Sequence, residues 1–127
     1  MARSRQASSA RSEEPRLWKV FRDGATKGQP GSEKGTIVRD VEHSEGARIT
    51  LERDTPTVPF AITCGIYGWM VHTRFLGSEV EALMAFEDMK DALARILAII
   101  PDRHDPQMER KVEVVRTALN RFIEDYP

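Results

Sequence analysis

The sequence predicts an α+β fold: a four-stranded antiparallel meander sheet followed by an antiparallel αα-hairpin packed on one face. Residues 36–76 carry runs of period two separated by turn residues, the mark of strands. At Gly77 the apolar spacing changes to alternating steps of four and three, the mark of amphipathic helices. The chain has 127 residues, 40% hydrophobic and 31% charged, which suits one domain with one core.

Residues 1–16 are rich in Ser and Arg and hold no large apolar residue, so they read as a disordered basic tail. They lack the apolar run of a secretory signal, and Glu13 and Glu14 argue against an amphipathic presequence. Leu17–Phe21 is the first apolar cluster and suits a short edge strand. The stretch to Gly35 contains Gly24, Gly28, Pro30, Gly31 and Gly35 and reads as a flexible connection, too poor in apolar residues to pack. Residues 1–35 carry eight Lys/Arg against four Asp/Glu, and the remainder 11 against 16. A basic arm therefore precedes an acidic body, residues 36–127, which forms the single α+β domain.

In that body Ile37, Arg39, Val41 and His43 alternate with Val38, Asp40 and Glu42. After Ser44-Glu45-Gly46, Ala47, Ile49 and Leu51 alternate with Arg48, Thr50 and Glu52, completing a hairpin with one wet face. Pro56 and Pro59 place a loop next, since neither can donate to a ladder. Phe60–Leu76 has no charge before Arg74 and reads as two strands, with a tight turn at Ile66-Tyr67 between Gly65 and Gly68. That turn puts Cys64 opposite Trp69 and His72 opposite Ala61. With Phe60, Ile62 and Cys64 facing the helices, Ala61, Thr63, Met70 and His72 form an apolar outer face.

Ser78 and Glu81 have capping-box spacing, and Ala82, Phe86, Met89, Leu93, Ile96 and Ile100 form one stripe on a helix ending at Pro101. Asp105-Pro106 opens a second helix, striped by Met108, Val112, Val115, Leu119, Phe122 and Tyr126. The short link between them sets the helices antiparallel.

No Walker, Rossmann, nucleophile-elbow, zincin or paired-cysteine motif occurs. The glycines of 24–35 superficially suggest a phosphate cradle, but no helix follows them and Pro30 removes a donor. Cys64 and His72 are the only nucleophile–base candidates, and the expected register sends them to opposite faces. His43, His72 and His104 lack neighbouring ligands at metal spacing, so no metal site and no cofactor is expected.

An apolar outer sheet face on a small domain calls for an occupant. The leading expectation is a small intracellular interaction module, a homodimer or the binder of another protein, using Ala61, Thr63, Met70 and His72. The alternative is a small-molecule binder or enzyme with a pocket at Tyr67, Trp69, His72 and Arg74. A third is nucleic-acid association through Arg3, Arg5, Arg11 and Arg16, made weak by the net charge of -1 and the lack of interleaved aromatics. The single cysteine forms no internal disulfide, and the prolines and glycines of 56–68 interrupt the only long uncharged run. A cytoplasmic protein with no membrane span is the default that follows. No convergent set of titratable groups marks an enzyme.

Overall fold

The computed structural model describes residues 17–127; the expected basic tail, residues 1–16, lies outside the described residues. Among the described residues five strands follow one another: β1 (Trp18–Val20), β2 (Thr36–His43), β3 (Ala47–Arg53), β4 (Phe60–Ile66) and β5 (Met70–Leu76). They lie side by side in that order and every neighbouring pair is antiparallel. Helices α1 (Glu79–Leu97) and α2 (Met108–Asp125) complete the α+β fold. The sheet has one strand more than the four expected. The apolar cluster at Trp18 adds to the outside of β2, with Trp18 opposite His43.

Alternation decides which side chains meet the helices. Ala47, Ile49 and Leu51 of β3 and Ile62, Cys64 and Ile66 of β4 are buried on one face. Phe86, Met89 and Leu93 of α1 and Val115, Leu119 and Phe122 of α2 close over them as one core. The period of two in β2 is broken once. The register shifts between Ile37 and Arg39, so that Ile37 opposes Glu52 and Arg39 opposes Leu51. This bulge at Val38 turns Ile37 to the outer face and Arg39 to the helix face, where its guanidinium lies 4.4 Å from the Phe86 ring centroid.

The turn between β4 and β5 corrects the expected register. Ile66 pairs with Met70, leaving Tyr67-Gly68-Trp69 as the loop, and Trp69 N–H donates to the Ile66 carbonyl at 2.9 Å. Gly68 takes the left-handed φ of 83° that the third position of such a turn requires. Gly65 belongs to β4 rather than to the turn. Placing the turn one position later preserves Ile66 as a core residue and shifts the pairing by an odd number, which reverses the faces of β5. Met70, His72, Arg74 and Leu76 therefore face the helices, and Val71, Thr73 and Phe75 face outward. Cys64 stands opposite His72, not Trp69.

Ser78 Oγ accepts the Glu81 N–H at 3.2 Å and caps α1, as its spacing predicts. Helix α2 begins at Met108, later than the proline suggests. Asp105 still organises the approach: its Oδ1 accepts the Gln107 N–H at 2.7 Å and its Oδ2 pairs with Lys111 Nζ at 2.6 Å. No described helix is long and apolar enough to cross a membrane.

Candidate interaction surface

The outer face of the sheet divides into a half covered by the chain itself and a half left open. The cover is the glycine-rich stretch, expected to be too apolar-poor to pack. It packs through polar bonds. Gln29 and Ile37 pair by the Ile37 N–H to Gln29 carbonyl bond at 2.9 Å, and Gly31 N–H donates to the Gly35 carbonyl at 3.0 Å. Inside this small loop sits the Glu52 carboxylate, fully buried at 0% exposure. It accepts the Glu33 N–H at 3.2 Å and the Gly35 N–H at 3.0 Å. A Cβ on Gly31 would lie 2.2 Å from Glu52 Cδ, so only glycine allows this approach. The stretch that resembles a phosphate cradle thus closes around the protein's own Glu52 side chain.

A second polar knot ties Thr26 to the sheet. Asp40 is buried and takes a bidentate pair from Arg48, Nε to Oδ1 at 2.9 Å and Nη2 to Oδ2 at 2.7 Å. Thr50 Oγ1 and Thr26 Oγ1 donate to the same carboxylate at 3.1 and 2.8 Å. Arg48 also lies over the Phe21 ring, 3.7 Å from its centroid. The hydrogen bond to Asp40, ahead of the Coulombic attraction, raises the guanidinium pKa further.

Between this cover and the β4–β5 turn runs an open groove of about 790 Å³. Thr63 and Gly65 form its floor; Pro30 stands on one side, and Tyr67, Trp69 and Val71 on the other. The groove exists because the floor residues are small. Tyr67 OH donates to Glu42 at 2.6 Å, and burial together with that carboxylate pushes the phenol up to about 12. The Cys64 thiol is likewise pushed up to about 12 by burial, away from the thiolate form that a nucleophile uses.

The four residues expected to share a ligand pocket are split by the sheet. Tyr67 and Trp69 border the groove. His72 and Arg74 lie on the helix face, where His72 Nε2–H donates to the Tyr126 carbonyl at 2.6 Å and Arg74 sits 5.7 Å from the Tyr126 ring centroid. The expected interface set is also divided. Ala61 and Thr63 belong to the outer face, Ala61 fully buried there, whereas Met70 and His72 are turned inward. Among the described residues no group of three His, Cys, Asp or Glu side chains is placed to hold a metal ion. The arginines of the proposed nucleic-acid arm lie outside the described residues.

What the outer face does leave uncovered is its last strand. Among the described residues β5 pairs only with β4, and its far edge is open. Val71 is 80% exposed and Phe75 50% exposed, both on the outer side of that edge. The opposite edge of the sheet is built differently: β1 has only three residues, and Lys19 is its outward one. Short length and an outward charge are two of the protections of a strand edge; β5 has neither, and its one charge, Arg74, lies on the helix face. Val71 and Phe75 follow from the sequence alternation once the turn is placed correctly. Glu52 and Asp40 do not, because alternating charges on a strand read as solvated.

Compared with known proteins, the chain matches no family model, no curated sequence and no solved structure, so its own geometry defines its class: an α+β protein with an exposed apolar sheet edge.

Proposed function

We propose that the protein is a self-associating interaction module, joined through the open edge and outer face of β5. The observation that carries this reading is the open seven-residue edge strand with Val71 and Phe75 exposed on one side. Strand addition satisfies the free backbone donors and acceptors of the edge, and burial of the two side chains supplies apolar contact. The native mass after size exclusion, read by light scattering at two protein concentrations, tests it. The wild type is expected to run as a dimer and the double variant Val71→Lys, Phe75→Lys as a folded monomer. Neither Val71 nor Phe75 belongs to the buried core, so circular dichroism of the variant should match the wild type. A wild type that is monomeric at both concentrations would sink the reading.

A second reading is supported by the groove beside Trp69, whose size suits a small molecule. Its titratable lining groups, Arg48, Cys64 and Tyr67, all hold their protons at neutral pH, which favours binding over acid–base chemistry there.

A further inference from the structure

We infer that the strand seated on β5 is β5 of a second copy, antiparallel to the first and related to it by a two-fold axis at Thr73. This rests on the self-association reading and fixes its register. Such an axis stands perpendicular to the sheet, so the two copies share one continuous sheet with all helices on one side, an isologous contact.

The strand is symmetric about Thr73 in the property that matters. Val71 lies two residues before it and Phe75 two residues after it, all three on the outer face. A two-fold at Thr73 places Val71 opposite the partner's Phe75 and Phe75 opposite the partner's Val71. These are the aromatic–β-branched pairs that stabilise antiparallel ladders. Other centres are poorer. An axis at Arg74 sets two guanidinium groups directly opposite each other, a like-charge pair. An axis at His72 sets Val71 against the partner's Thr73 and sends Phe75 past the end of the strand.

The rows of the sheet already run toward this arrangement. Thr63 Oγ1 is 3.3 Å from Thr73 Oγ1, and Ser32 Oγ is 3.3 Å from Thr63 Oγ1. This line of hydroxyls reaches the edge at Thr73 and meets the partner's Thr73 on the axis. In the adjacent row Val71 pairs with Gly65, which has no side chain and forms part of the groove floor. The partner's Phe75 stands opposite Val71 and continues this row across the seam, with Val71 between it and Gly65. One geometry therefore accounts for the open edge and the outward apolar pair.

Cysteine cross-linking reads the register independently of the mass. Cys64 is buried, so the wild type serves as the silent control. Opposing residues on neighbouring strands fall within disulfide range. Thr73→Cys is expected to give a covalent dimer under mild oxidation at low protein concentration. Val71→Cys alone and Phe75→Cys alone should not, whereas an equimolar mixture of those two should cross-link to each other. A dimeric mass with no Thr73→Cys product, or with cross-linking of Val71→Cys or Phe75→Cys to itself, overturns the register and leaves self-association standing. A monomeric mass overturns both.

Discussion

His43 sits where β1, β2 and the first hairpin turn meet. Its Nδ1 accepts the Glu45 N–H at 3.0 Å, and its ring meets Trp18 edge-on with centroids 4.9 Å apart. That bond requires the neutral ring with the proton on Nε2, since a protonated Nδ1 would face a donor. Burial lowers the imidazole pKa and the Glu45 carboxylate only partly opposes this. The folded protein therefore takes up this proton at lower pH than the unfolded chain, whose imidazole titrates near about pH 6.5. Stability from His43 is complete above that pH and is lost as pH falls through the window down to the folded-state pKa. Denaturant titrations at about pH 7.5 and about pH 5.5 should show a marked loss for the wild type. His43→Asn keeps an acceptor for the Glu45 N–H and cannot take up the proton, so its loss should be smaller. Equal losses in the two proteins would remove His43 as the cause.

At the scale of elements, the sequence reveals whatever is held by apolar periodicity. The stripe Ala82, Phe86, Met89, Leu93 and Ile96 forms the buried face of α1, and the turn at Ser44-Glu45-Gly46 falls where the alternation stops. The glycine-rich cover escapes because nothing apolar marks it. Its hold on the sheet is the Glu52 carboxylate and the Asp40 knot, and a charge in an alternating strand looks the same whether a loop or water covers it. The β5 faces escape because a single step in turn placement, Tyr67-Gly68-Trp69 in place of Ile66-Tyr67, reverses every side chain of the strand. The cover also carries a prediction. Glu52→Gln keeps the size but sets an NH2 group against the Glu33 N–H that Oε2 accepts, while an oxygen at Oε1 can still take the Gly35 N–H. A buried N–H left facing a donor costs about 1–2 kcal/mol. Urea unfolding should show that loss, and amide exchange at Glu33 and Gly35 should speed up ahead of the core strands. Unchanged protection at those two amides would mean the carboxylate is not what holds the cover down.

For the whole molecule, one sheet edge is finished and the other is not. β1 closes the first edge as a three-residue strand bearing Lys19, while the second ends on β5 with seven residues and no charge on its outer side. Helix α1 lies across the middle strands, and α2 reaches β5 only through contacts such as Phe122 with His72 and Tyr126 with Arg74. The helix layer thus anchors the inner face of β5 and leaves Val71 and Phe75 on its outer side exposed. A dimer that forms only from folded chains stabilises the fold by mass action. The melting temperature of the wild type should therefore rise with protein concentration. The Val71→Lys, Phe75→Lys variant should melt at one temperature whatever its concentration, because its unfolding is unimolecular. Differential scanning calorimetry over a hundredfold range of concentration separates the two behaviours. A wild-type melting temperature that does not move would mean that the β5 edge adds no stability by pairing, and that Val71 and Phe75 are exposed for another reason.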